Sequence, residues 1–272
     1  MGGLSGWNNR VSHVLTAGAG AGTNYQMRVH VHFAAGANSG EDIYVDGQCN
    51  TDFSDIRFTS SDEQTLLSYW LQSKTDSDNA VFWVKVSADL DSDQTIFVYY
   101  GNYLATVSLS SQANTFVDVI SGVVGAWNME DGAGATIEDF SGNNNDGTAT
   151  GTTVVAGKFA GKNARSINAT DKILMSDSAV MRNAGNNKAT MIFWAYPTQH
   201  ATTSNSLIIG HFLTVGNWFS LYSKGSGSAN VYVAVKTATV TVEHEVTLFT
   251  LNEWHFYSIV YDGANVKVKK DD

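Results

Sequence analysis

Residues 51–102 read TDFSDIRFTSSDEQTLLSYWLQSKTDSDNAVFWVKVSADLDSDQTIFVYYGN, and this stretch decides the fold class. Short runs rich in β-branched and aromatic residues alternate in it with acidic, Ser-rich turns. We predict strands at 56–59, 66–71, 80–86 and 95–100, with the turn clusters DSDN and DLDSD between the last three. No side chain in the stretch resembles a nucleophile with a base beside it. The pattern predicts a rigid β-sandwich that presents a surface to a partner.

Residues 24–33, NYQMRVHVHF, alternate between apolar and polar side chains and predict a half-buried strand. The polar face carries Arg28, His30 and His32. Two imidazoles on one face could begin a zinc site, which needs three or four ligands. No further Cys or His follows nearby, and Arg28 would repel a cation, so we interpret this face as an ordinary polar strand surface.

The composition changes near residues 103–122, which look like a connector, and we place a domain boundary near residue 120. The predicted domains are residues 1–119 and 120–272. Evenly spaced strands, a tight hairpin at Asp146-Gly147 and one short helical segment at 175–185 are predicted for the second domain. The fold class is therefore all-β, with two tandem β-sandwich (jelly-roll-like) domains. The end, YDGANVKVKKDD, predicts a hairpin without its return strands, so an open sheet edge could pair with another chain.

Composition excludes several classes of function. The chain of 272 residues has a net charge of −10, which disfavours nucleic acid and anionic membranes as partners. No apolar run approaches the roughly 20 residues of a membrane span, so we expect no membrane insertion. Cys49 is the single cysteine, which rules out an internal disulfide, and we predict that it is a small buried side chain.

Long strings in the first half resemble one uncharacterised family. Trp7 with Arg10, then NYQM, TDFSDIRFTSSDEQTLLSYW, AVFWVKV and VYYGN, are similar to the family known as domain of unknown function 2341, from about Trp7 to Phe116. The family has no established activity, so the resemblance carries no expectation about what the chain does. It implies a context of large extracellular and surface proteins of archaea, bacteria and their viruses.

Strings in the second half resemble a concanavalin A-like (laminin-G-like) jelly roll. They are GAWNMEDGAGATIEDFSGNNNDGTATG, GKFAGKNARSI, TMIFWAYP and EWHFYSIVYDG. The resemblance implies binding of carbohydrate or protein, sometimes with a structural calcium ion. The resemblance implies further C-terminal strands, and we interpret the second domain as lacking them.

Catalysis is not expected, although this fold also hosts glycoside hydrolases. Those that resemble laminarinases carry Glu-x-Asp-x-x-Glu on one strand, and the nearest approach here is Glu243-His244-Glu245. Alternation places the two Glu side chains on one face, roughly 6.5–7 Å apart along the strand. A third carboxylate is missing, and a solvated strand face explains the pattern, so glycoside hydrolysis is the weakest alternative.

Calcium is the one cofactor that the sequence suggests, because acidic loops offer the hard oxygen ligands that Ca²⁺ prefers. The strongest candidate is the loop EDFSGNNNDG at 138–147, with Asp139, Asn143 and Asn145 as ligands. The alternative for this loop is an Asx-turn held by hydrogen bonds alone. The series Asp89, Asp91 and Asp93 begins like an EF-hand but lacks its later Gly and Glu.

Aromatic side chains are the candidate ligand-binding groups, since sugar rings pack their C–H faces on them. We predict that Trp218, Tyr222 and Tyr232 bind the ligand. Three other tryptophans are expected in the core instead, namely Trp127, Trp194 and Trp254.

The sequence therefore favours a non-catalytic binding or adhesion module that recognises glycan or another surface molecule. The alternative is a structural subunit of a virion, filament or cell-surface appendage that self-associates through an open sheet edge. Both predict an extracellular, cell-surface or virion-surface location.

Overall fold

A computed structural model describes most of the chain, which divides into two compact units, Met1–Val123 and Val124–Asp272. The described residues are 3–168, 171–175, 188–200, 206–211, 218–223, 225, 230–236, 241–247 and 249–271. Within them, residues 206–211, 218–219, 236 and 241–242 are described by their backbone alone. Strands dominate both units, which confirms the all-β fold class.

Unit 1 is a sandwich of two sheets. Its strands are β1 (Asn9–Leu15), β2 (Tyr25–His32), β3 (Asp42–Tyr44), β4 (Arg57–Thr59), β5 (Tyr69–Thr75), β6 (Asn79–Val86) and β7 (Gln94–Tyr100). One sheet has the order β1-β7-β4 and the other the order β3-β2-β6-β5. The pair β2–β3 is parallel, whereas β2 pairs with β6 in antiparallel fashion.

The core of unit 1 lies between the two sheets. The predicted alternation in β2 is confirmed, because Val29 and Val31 are fully buried. They pack in one cluster with Phe82 of β6 and with Phe58 and Val98 from the opposite sheet. Burying each large apolar side chain stabilises the fold by about 1.5–3 kcal/mol.

A buried carboxylate in the DFSDIRF string holds two turns together. Asp55 is fully buried, and it accepts hydrogen bonds from the backbone N–H groups of Asn50, Gly101 and Asn102 at 2.9, 2.8 and 3.1 Å. Cys49 lies beside this turn with 3% of its surface exposed, as predicted. Burial and the nearby Asp55 charge raise the pKa of the thiol to about 12.

The segment predicted to be a connector packs on the rest of unit 1. The guanidinium group of Arg57 donates to the carbonyl of Val107 at 2.8 Å. One helical turn follows at Ala113–Val117, and its Phe116 ring lies 5.8 Å from Trp70 and 6.0 Å from Trp83. These contacts attach the segment to the sheet of β5 and β6.

Unit 2 is also built from sheets. Its strands are β8 (Thr136–Ile137), β9 (Gly147–Thr150), β10 (Thr153–Ala156), β11 (Asn163–Ser166), β12 (Lys172–Met175), β13 (Ala189–Ala195), β14 (Ser206–His211), β15 (Trp218–Ser223), β16 (Asn230–Lys236), β17 (Thr241–Thr247), β18 (His255–Tyr261) and β19 (Val266–Lys270). The two larger sheets have the orders β14-β15-β16-β17 and β13-β18-β19. Smaller sheets are β12-β9-β8 and the pair β10-β11.

The core of unit 2 lies between its two larger sheets. Leu221, Val231 and Val233 from one sheet form a cluster with Tyr257 and Ile259 from the other. Alternate residues of β13 also pack on this cluster. They are Ala189, Met191, Phe193 and Ala195.

Three local predictions for the second half meet different outcomes. The prediction of a tight hairpin at Asp146-Gly147 is wrong. Gly147 instead begins β9, and it pairs with Ile137 across a long loop. Trp194 is not in the core: it is 41% exposed, since Phe193 takes the inward position on β13. The predicted helical segment at 175–185 lies outside the described residues after its first residue.

In the described part of the chain, no helix is long and apolar enough to cross a membrane.

Candidate functional site

Two of the three predicted ligand-binding side chains lie on one face of the four-stranded sheet of unit 2. Alternation sends Leu221, Val231 and Val233 into the core, so Tyr222 and Tyr232 lie on the opposite face. The register pairs Tyr222 with Tyr232 across β15 and β16. Both rings are partly exposed.

The two tyrosine rings form a small platform. Their centroids are 5.7 Å apart and the ring planes are inclined by 29°. The Tyr222 hydroxyl donates a hydrogen bond to Oε1 of Glu243 at 2.5 Å. Burial raises the pKa of the Tyr222 hydroxyl, and this hydrogen bond raises it further. The hydroxyl therefore stays protonated and orients the ring.

Two carboxylate groups of the edge strand β17 and one amide group of β16 border the platform. The register places Glu245 opposite Tyr232 and Glu243 opposite Ala234. The side-chain amide of Asn230 donates to Oε1 of Glu245 at 2.7 Å, and both Glu side chains are exposed. We call this surface the tyrosine face, consisting of Tyr222, Asn230, Tyr232, Glu243 and Glu245.

The chemistry of the tyrosine face suits binding of a polar ligand with an apolar side. The rings offer faces for C–H groups, and the carboxylates accept hydrogen bonds from hydroxyl groups. Glu243 and Glu245 are each held by a neighbouring side chain, Tyr222 and Asn230 respectively. That arrangement is also what an ordinary hydrated strand surface presents.

Trp218, the third predicted ligand-binding residue, begins β15. Its backbone pairs in register with Lys236. Its side chain lies outside the described residues, and Tyr222 and Tyr232 define the geometry of the site.

The predicted calcium ligands lie in the loop between β8 and β9, where Asp139 accepts four hydrogen bonds. Backbone N–H groups of Ala126 and Ser141 bond to its Oδ1, while the Ser141 hydroxyl and the Asn145 N–H bond to its Oδ2. Burial raises the pKa of Asp139, but these donors together lower it below its usual value. The four bonds occupy the positions that a cation would use on this carboxylate.

The other two predicted calcium ligands have different surroundings. Asn143 is exposed, and its N–H and side-chain amide both lie near the Ser141 hydroxyl, at 3.3 and 3.1 Å. Asn145 is fully buried and donates its side-chain amide to the Val124 carbonyl at 2.7 Å. Its Oδ1 has no hydrogen-bond partner among the described residues. The Asx-turn is present, and a calcium ion here stays a prediction.

A second polar cluster lies on unit 1, where the sequence indicated only a polar strand face. His30 and His32 of β2 are joined there by Asp42 of β3, and ligand atoms of the three lie within 4.8 Å of one another. The parallel register of β2 and β3 places Asp42 beside His30. Sequence reasoning missed Asp42 because alternation within one strand does not indicate which strand lies next to it.

Comparison with known proteins supports part of the first resemblance. The sequence model of a family described as "Domain of unknown function (DUF2341)" matches residues 52–152. No curated protein and no solved structure matches the chain. The match continues past Val123 into the start of unit 2. Over residues 52–152 the chain is therefore similar to this family, whose description carries no activity.

Proposed function

We propose that the chain is a non-catalytic binding module that recognises a neutral glycan through the tyrosine face of unit 2. The observation that carries the proposal is the stacked pair Tyr222–Tyr232 beside Glu243 and Glu245 on one exposed sheet surface. A sugar ring can lie on the aromatic pair while its hydroxyl groups donate to the carboxylates.

Charge narrows the class of ligand. The net charge of −10 and the two carboxylates of the tyrosine face would repel sulfated or sialylated glycans. A shallow platform of two rings supports a Kd on the order of 0.01–1 mM. Such affinity is useful when many copies act together, which fits an extracellular, cell-surface or virion-surface location.

A glycan array followed by isothermal titration calorimetry tests the proposal. Tyr232→Ala removes one ring, and we expect the affinity for the best neutral glycan to fall about tenfold, equivalent to about 1.4 kcal/mol. Tyr222→Phe keeps the ring but loses the hydroxyl bond to Glu243, so the loss should be smaller. The matched control is Tyr103→Ala, which removes a tyrosine of unit 1 that is 58% exposed. No binding to any neutral glycan, or an unchanged affinity in folded Tyr232→Ala, would reject the proposal.

A second candidate function is a structural subunit, and one observation favours it. The outer face of β13 is apolar, with Ile192 59% and Trp194 41% exposed, and Phe159 packs on Trp194 at 5.8 Å. Contiguous exposed apolar surface commonly marks a protein interface. The edge strand β19, which pairs with β18, could add a backbone contact to a second copy.

The state of association separates the two candidates. A structural subunit should form ordered polymers in negative-stain micrographs, and Ile192→Lys should abolish them. A binding module should stay monomeric in light scattering at micromolar concentration and keep its glycan affinity in Ile192→Lys.

A further inference from the structure

We propose that His30, His32 and Asp42 form a site for a divalent transition metal ion of the zinc class on unit 1. Nδ1 of His30 and Nε2 of His32 lie 3.1 and 2.7 Å from Oδ1 of Asp42. Ligand atoms around a tetrahedral zinc ion, with bonds of about 2.0–2.1 Å, lie roughly 3.3 Å apart. Small side-chain rotations would therefore place an ion between the three ligands. The His side chains are 22% exposed, so the ion can enter from solvent.

The hydrogen bonds of Asn79 give independent support, because they orient the His30 ring for a metal ion. The Asn79 amide nitrogen donates to Oδ2 of Asp78 at 2.8 Å, which directs its oxygen to Nε2 of His30 at 3.2 Å. In the neutral tautomer that donates from Nε2, Nδ1 of His30 carries a lone pair that faces the Asp42 carboxylate. In that tautomer a metal ion between Nδ1 and Oδ1 of Asp42 would satisfy both acceptors, whereas the empty cluster needs a proton on Nδ1. Metal-bound histidines characteristically donate their second N–H to such a partner.

Packing holds the second imidazole in place. The ring of Tyr44 stacks on His32, with centroids 4.4 Å apart and an angle of 12° between the planes. Gly36 allows this stack, because a Cβ at that position would lie 2.3 Å from the Tyr44 ring. His32 is thus presented to Asp42 by a preformed arrangement, which lowers the cost of binding an ion.

From the sequence alone, the positive charge of Arg28 was expected to repel a metal ion. The structure places a negative charge beside it. Arg28 forms an ion pair with Glu41, the residue before Asp42. With neutral histidines, the carboxylate of Asp42 leaves the cluster with a net negative charge. A cation is therefore attracted to it.

The ligand set selects the class of metal ion. Two imidazole nitrogens and one carboxylate suit zinc and its first-row neighbours, whereas calcium and magnesium prefer oxygen ligands alone. Three protein ligands leave at least one position for water. The ion would join the short edge strand β3 to β2 and thereby stabilise unit 1 by mass action.

Titration of the intact, untagged chain with zinc chloride after removal of metals with EDTA tests the proposal. We expect binding of one ion per chain with a Kd at or below about 10 µM, and a rise in the melting temperature of unit 1. His30→Ala, His32→Gln and Asp42→Asn should each weaken binding at least tenfold. Cobalt(II) in place of zinc should give the intense visible absorption of a tetrahedral site.

The controls separate this site from weak binding to surface histidines. His244→Ala removes an exposed histidine of β17 and should leave the zinc affinity unchanged. His255→Ala removes a histidine that contacts the carboxylates of Glu253 and Asp271. This variant should also bind zinc with unchanged affinity. Far-ultraviolet circular dichroism of every variant in EDTA checks the fold. Absence of stoichiometric binding, or equal affinity in the wild type and folded His30→Ala and His32→Gln, would overturn the proposal.

Discussion

The backbone N–H of Gly101 lies 2.8 Å from Oδ2 of Asp55, and this hydrogen bond joins the end of β7 to the turn before β4. The two residues belong to the strings DFSDIRF and VYYGN, which carry the family resemblance in unit 1. Both strings therefore have a structural role here. Asp55 is buried by the sandwich and is not available to a ligand.

Removal of the Asp55 carboxylate should destabilise unit 1 strongly. Asp55→Ala leaves three backbone N–H groups without their acceptor, and we expect a loss of about 2–4 kcal/mol in the free energy of unfolding. Urea denaturation measures the loss. The control Asp76→Ala breaks only an exposed ion pair with Lys74 and should cost less than about 0.5 kcal/mol. Equal stability of the two variants would contradict the role of Asp55.

A side chain at position 101 should also destabilise unit 1. Gly101 has φ +84°, and an added Cβ would lie 2.6 Å from Nδ2 of Asn9 and 3.3 Å from the backbone carbonyl oxygen of Gln48. Gly20 is a matched control, because its φ is +82° and an added Cβ meets nothing within 4 Å. We expect Gly20→Ala to cost about 1 kcal/mol and Gly101→Ala about 1–3 kcal/mol more. Thermal melts of both variants give the difference, and similar melting temperatures would show that the close approach to Asn9 is unimportant.

Asp62 should titrate well below its usual range in the folded chain. Its carboxylate accepts hydrogen bonds from Ser60, Gln64 and Thr65, and the Thr65 hydroxyl at 2.5 Å lowers its pKa most. Because the folded pKa is depressed, the stabilisation is present above the unfolded pKa of about 3.9 and is lost as the pH falls through the folded value. Carbon-detected NMR titration measures the pKa directly. The difference in melting temperature between the wild type and Asp62→Asn should shrink between pH 5 and 2, and a constant difference would contradict this account.

If the loop at 138–147 is an Asx-turn held by hydrogen bonds alone, Asp139→Ala should lower the stability of unit 2 equally with and without calcium. Four protein donors already hold this carboxylate, so its loss costs about 2–4 kcal/mol in either medium. Differential scanning calorimetry in calcium chloride and in EDTA makes the comparison. A melting temperature that calcium raises in the wild type but not in Asp139→Ala would instead place a calcium ion in the loop at 138–147.

The sequence predicted strands best where one face is apolar and the other polar. The expected strands at 80–86 and 95–100 match β6 and β7 to within one residue. The strand expected at 66–71 begins instead at Tyr69 and continues to Thr75. Its second half is exposed on both faces and has no apolar period to detect. Trp194 was misplaced for the opposite reason, because both faces of β13 are apolar.

The candidate sites depended on contacts between strands that a single sequence does not specify. The sequence indicates Tyr222 and Tyr232 only as separate residues, and the register of β15 and β16 brings them together. The Asp42 carboxylate was missed because β3 pairs in parallel with β2 after a Gly-rich loop. Two parallel neighbouring strands leave no sequence pattern between them that is comparable to a tight hairpin turn.

Mapping of amide chemical shifts tests the glycan-binding proposal most directly. The isotope-labelled chain would be titrated with the neutral oligosaccharide that binds best on the array. We predict saturable shifts in β15, β16 and β17, centred on Tyr222 and Tyr232 and absent in Tyr232→Ala. Shifts confined to unit 1, or to the face around Trp194, would contradict the account.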